Sequence, residues 1–217
     1  MTSATEFSKP LMAWGRANRR SFPWRETRDP FHVLVAEVLL QRSRGKTVAA
    51  VYEEFFRRWP DASSLGRARV DSIRSVIRPL GLTSRAATLR VLARKIEARG
   101  DVPKTLEELM SLPGVGRYAA SATLAAAFGK RAGTVDGVTA RVYRRYFGLD
   151  GGIPVTNDRA LWAVVDDVTP TKGSGEWNWA VLDLAASVCL PGRPRCETCP
   201  LASGCRWSAA VRADVAP

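Results

Sequence analysis

The chain has 217 residues, enough for one large or two small domains, and its 46% hydrophobic content suffices for a buried core. Its 33 Lys and Arg against 21 Asp and Glu leave a formal charge of +12 and a pI of about 10.3, which points to nucleic acid through counterion release. No apolar run approaches the roughly 20 residues of a membrane span and the N-terminus lacks the apolar stretch of a secretory signal, so membrane and secreted classes are set aside. A cytoplasmic, monomeric protein is expected, nucleoid-associated in a bacterium or archaeon, with no membrane partner and no structural disulfides. Because Arg far outnumbers Lys, a composition-biased but otherwise ordinary basic protein is the bland alternative.

In chain order, Leu11 to Arg20 has helical spacing and ends in a basic stretch. Pro23 breaks it within Ser21-Phe22-Pro23-Trp24-Arg25. Asp29 then caps, with Pro30 in the first turn, a strongly apolar helix over Phe31 to Gln41. That helix contains one acid, Glu37, between Val35, Val38, Leu39 and Leu40. A carboxylate among core-like residues is rarely buried without a reason, and desolvation would lift its pKa towards that of a general acid. The competing reading puts Glu37 on a polar stripe. Gln41-Arg42-Ser43-Arg44-Gly45 closes the helix, followed by helices over Thr47 to Trp59, Val70 to Ile77, Arg85 to Arg99 and Thr105 to Met110.

Next comes Leu112-Pro113-Gly114-Val115-Gly116-Arg117-Tyr118, then an alanine-rich run to Gly129 and Thr134-Val135-Asp136-Gly137. A helix stops at Leu112, the chain turns through Pro-Gly-Val-Gly, and another helix starts near Arg117. The glycines permit positive φ and close approach, and amides at the next helix start suit an anion such as a phosphate. Asp136 beyond it is a candidate catalytic carboxylate; the bland reading is a Gly-Pro turn with Asp136 as the next N-cap. Helices follow over Val138 to Phe147, Asp158 to Val168 and Glu176 to Val188. With no strand signal or repeat, the chain reads as all-α with short connections.

Cys189, Cys196, Cys199 and Cys205 form a C-x6-C-x2-C-x5-C pattern, and four thiols so close in a reducing compartment ask for a metal. Spacing alone leaves open a tetrahedral zinc or an iron–sulfur cubane. Arg193 and Arg195, on a stiff loop between the first two cysteines, are placed to meet a phosphate backbone. His32, the only histidine, sits on an apolar helix and reads as a packing residue.

Together the hairpin, Val135-Asp136-Gly137 and the cysteine tail resemble the helix-hairpin-helix DNA glycosylases of the endonuclease III and MutY superfamily, from Phe22 to Cys205. The resemblance implies an all-α fold of two helical domains. A six-helix domain over 26–133 carries the hairpin, and 1–25 with 134–217 form the domain of a 4Fe–4S cluster held by the four cysteines. It implies double-stranded DNA with a mismatched or damaged base as partner. Asp136 then stabilises the cationic sugar or activates water, and Glu37 protonates or hydrogen-bonds the departing base. Tyr118 lines the pocket where the endonuclease III type places a Schiff-base lysine; a tyrosine forms no imine, so no efficient lyase step follows. Arg42 or Gln41 fills the gap left by the flipped base, with Ser43 as a further DNA contact. The amides of Gly114 and Gly116, with a monovalent cation, hold the phosphate, and Val115 and Arg117 beside them are DNA-binding.

Ala36 to Ser43 resembles both the MutY adenine glycosylases and the thymine/uracil glycosylases of G:T and G:U mismatches. Arg42 in Gln41-Arg42-Ser43, the motifs Arg145-Tyr146-Phe147-Gly148 and Arg57-Arg58-Trp59, and a chain that ends soon after the cysteines favour the mismatch type. Val138 stands where both usually show Asn, which keeps three alternatives open: an adenine glycosylase, a glycosylase for another modified base, and a non-catalytic DNA-binding homologue.

Overall fold

The structure, a computed structural model, describes residues 4–213; the first three residues of the N-terminal stretch read above lie outside it. Among the described residues there is no strand. The chain divides into two compact units, one of residues 21–128 and one of 1–20 with 129–217.

The first unit holds the helices that follow α1 (Ala4–Asn18) in the chain: α2 (Pro30–Leu40), α3 (Gly45–Arg58), α4 (Ala62–Arg67), α5 (Val70–Ile77), α6 (Arg85–Arg99), α7 (Leu106–Met110) and α8 (Arg117–Ala126). That is one α-helix more than the six expected. The addition is α4, a two-turn helix set by a reciprocal capping box in which Asp61 and Ser64 bond each other's backbone N–H. Asp29 Oδ1 accepts from the His32 amide at 2.9 Å and so starts α2 as its side chain suggests. Residues 33–39 of α2 are buried, and the helix packs on α3, α6 and α8. The single histidine is indeed a packing group, with its ring 4.1 Å from that of Phe56 and Nε2 2.8 Å from Pro60 O. The unit begins at Ser21 rather than Glu26 because Phe22 stacks on Trp24 at 4.7 Å and Trp24 packs against Tyr52.

The second unit holds α1 (Ala4–Asn18), α9 (Ala140–Phe147), α10 (Arg159–Val168), α11 (Ser174–Ser187) and α12 (Arg206–Ala213). Helix α1 starts about two turns before Leu11 and runs through Pro10. Phe7, fully buried against Tyr143, Tyr146 and Trp177, draws that earlier stretch into the core. It also stops short of Arg20, whose amide and guanidinium both bond the buried Asp183 carboxylate. Gly15 lets α1 lie close on α11: a Cβ there would fall 2.6 Å from that of Ala180. Residues 130–132 belong to this unit because Lys130 O accepts from Ser174, Ala132 O accepts from Asn178, and Arg131 caps the carbonyls at the end of α10.

Candidate functional site

The hairpin of the first unit is built by its own residues. Val115 N donates to Leu112 O at 3.2 Å, closing a turn with Pro113 and then Gly114 at φ +76°, the type II pattern. Gly114 needs to be glycine twice over, since a Cβ would also lie 2.7 Å from Thr88 Cγ2. Gly116 differs: its φ is −92°, and a Cβ would meet nothing within 4 Å. The protein's own packing does not require that glycine, and its missing side chain leaves the surface open there. Among the described residues, the amides of both glycines donate no hydrogen bond. Val115 is not part of this presentation. Its side chain is buried and its amide is spent on the turn, so it anchors the hairpin. Arg117 and Tyr118 are half-buried in the first turn of α8, which is otherwise buried from Ala119 to Ala126.

Glu37 lies in the same unit and is buried, 9% exposed, as the one acid of α2. The end of this helix is tied to the hairpin: Gln41 Nε2 donates to Gly114 O at 2.7 Å. Arg42 is exposed and has φ +53°. Ser43 is half-buried and braces the turn, with its hydroxyl 3.4 Å from Leu80 O, so it faces inward where contact with DNA was expected.

Asp136 lies in the second unit, half-buried, after an extended run in which Thr134 N donates to Asn178 Oδ1. Its Oδ1 accepts from Val138 N, Thr139 N and Thr139 Oγ1 at 2.8–2.9 Å, so the carboxylate does cap the turn into α9. Among the described residues its other oxygen, Oδ2, accepts no hydrogen bond. The capping and catalytic readings are therefore compatible: one oxygen fixes the group and the other is left for a ligand. Val138 is 44% exposed beside it. Tyr143, one turn into α9, is fully buried with a hydroxyl that has no partner among the described residues. Burial first, and the Asp136 charge second, push its phenol well above the ordinary range, so it stays neutral.

The four cysteines line one cavity of about 380 Å³ including its mouth, together with Val142, Arg145, Tyr146 and Leu201. Burial pushes the Cys199 thiol up to about 11 and raises Cys205 as well, so a ligand that takes thiolates has to displace protons here. Among the described residues no group of three or more His, Cys, Asp or Glu is arranged to hold a single metal ion. The loop carrying them is gripped from α9. Arg145 donates to Leu190 O and Pro191 O, each at 2.7 Å, and lies over the Trp207 ring at 4.6 Å. Arg141 donates to Cys189 O and Ala185 O. The sequence reading gives neither arginine this role; their spacing of four residues was the available signal. Arg193 and Arg195 are exposed, and among the described residues neither side chain makes a hydrogen bond or ion pair; the Arg195 backbone is tied in, its amide donating to Val188 O at 2.9 Å and its carbonyl accepting from Thr198.

Residues 35–165 match the profile of the HhH-GPD superfamily base excision DNA repair proteins. The chain is 33% identical to a thymine/uracil-DNA glycosylase of Methanothermobacter thermautotrophicus, over 93% of this chain and 92% of that protein. It is 39% identical to a thymine-DNA glycosylase of Aeropyrum pernix, over 90% and 91%. The solved structure of a thermostable thymine-DNA glycosylase matches with a TM-score of 0.89 at 32% identity, over 95% of this chain and 97% of that one.

Proposed function

Since the chain belongs to the HhH-GPD superfamily of base excision DNA repair proteins, we propose that it is a monofunctional DNA glycosylase removing thymine or uracil opposite guanine. The observation that carries the chemistry is the divided carboxylate of Asp136, pinned through Oδ1 with Oδ2 unused. A mispaired base leaves the stack at lower cost than a paired one. Its N-glycosidic bond then breaks with both electrons going to the base, and positive charge develops on C1′ and the ring oxygen. Asp136 stabilises that charge and takes a proton as water adds to C1′. Glu37 supplies a proton or hydrogen bond to the leaving base. Gln41 and Arg42 occupy the gap in the duplex, and the amides of Gly114 and Gly116, with a monovalent cation, hold a backbone phosphate. Tyr118 lines the base pocket and cannot form an imine, so the product is an intact strand with an abasic site.

The cysteine cavity fits an iron–sulfur cluster in its donor set: four thiols, all half-buried, on one wall system with no competing carboxylate or imidazole among its lining residues. Cys189, Cys196, Cys199 and Cys205 would hold a 4Fe–4S cluster, which when bound supplies a structural cross-link for the loop that presents Arg193 and Arg195.

Duplexes carrying T, U or A opposite G test the activity. Base release from the T and U duplexes is expected, with strand breaks only after alkali. Breaks without alkali would overturn the monofunctional reading, and release confined to adenine would overturn the substrate class.

A further inference from the structure

Helices α6 and α9 end on Gly100 and Gly148, both left-handed. Helix α2 ends differently. Its turn passes through Arg42, the one non-glycine at positive φ among the described residues, so a large side chain is kept where a glycine would sit without strain.

What holds that turn is Arg85, in the first turn of α6 and only 6% exposed. Its Nη1 donates to Leu39 O at 2.7 Å and lies 3.4 Å from Ser43 Oγ, while Nη2 donates to Gln41 O. A buried guanidinium is costly unless its donors are used. Here the fork meets the free carbonyls and the negative dipole end of α2. Burial lowers the Arg85 pKa, but an arginine keeps its charge. Three residues on, Thr88 is the seat beneath Gly114. One turn of α6 thus supports both the α2 turn and the hairpin, which Gln41 Nε2 joins.

We propose that Arg85 is a positioning residue for base extrusion: it holds Gln41 and Arg42 in the strained turn from which they enter the duplex. This rests on the wedge role given to those two residues above. The experiment compares single-turnover release of thymine from a G:T duplex with release of the same thymine in an unpaired bubble, where no stack has to be filled. Arg85→Met should slow the duplex reaction roughly 10- to 100-fold, the scale of two lost charge-assisted hydrogen bonds, and leave the bubble reaction within about threefold. Arg85→Lys, which cannot fork to two carbonyls, should fall between. Gln41→Ala with Arg42→Ala should show the same duplex-only loss. Equal losses on both substrates, or none on either, from Arg85→Met or from Arg85→Lys would overturn the proposal; Arg85→Lys carries the test should Arg85→Met not fold. If the Gln41/Arg42 double variant keeps the wild-type duplex rate, the wedge reading itself fails, a result separable from failure at Arg85.

Discussion

The hairpin at residues 112–117 and the cysteine loop at 189–205 are both irregular segments exposed only in part, yet they are held by different physics. The hairpin is closed by neighbours in sequence: Pro113, Gly114 at φ +76° and the Val115 amide on Leu112 O. The cysteine loop is closed from a distance, by guanidinium groups of Arg141 and Arg145 on carbonyls 44 to 48 residues away. A turn set by backbone conformation has its shape without a ligand. A loop set by side chains reaching across the unit depends for its shape on contacts distant in sequence.

The largest effect should come from the loop. Cys199→Ala removes one donor from a centre whose binding energy is also folding energy. Purified variant protein should lose the brown colour and visible absorbance of a cluster, with a fall of several kcal/mol in stability that denaturant titration reads. A colourless wild-type protein of unchanged stability after chelator treatment would contradict the assignment. The two hairpin glycines should then separate. Gly114→Ala combines a left-handed φ with the 2.7 Å approach to Thr88 and should cost about 2–4 kcal/mol, partly relieved by Thr88→Ser, which removes the Cγ2 methyl. Gly116→Ala meets nothing within 4 Å. It should cost less than about 1 kcal/mol of stability yet weaken duplex binding several-fold. A Gly116→Ala protein binding DNA like wild type would remove the reason given for that glycine.

What was legible in the sequence follows the same division. The α2 cap at Asp29, the turn at Pro113-Gly114 and the start of α8 at Arg117 are decided within a few residues, and propensity rules reach them. Helix α4 was equally local but was missed, because its Asp61–Ser64 box follows Pro60 in a stretch read as connection. Arg85 could not be seen, since a basic residue on a helix looks the same whether it faces water or the carbonyls of a helix end 44 residues away. Val115 and Ser43 were drawn outward by their neighbours in the motif, whereas burial and a bonded amide or hydroxyl turn them inward. For Asp136 the two competing readings, cap and catalyst, were never exclusive, because a carboxylate has two oxygens and the turn uses one.

The most direct measurement is single-turnover base release by Asp136→Asn on a G:T duplex, with binding to the same duplex titrated in parallel. The amide oxygen can still accept the capping bonds from Val138 and Thr139, so stability should stay within about 1 kcal/mol. Without the negative charge facing the sugar, release should fall by about 10²- to 10³-fold or more, while binding is retained. Release at the wild-type rate would contradict the account.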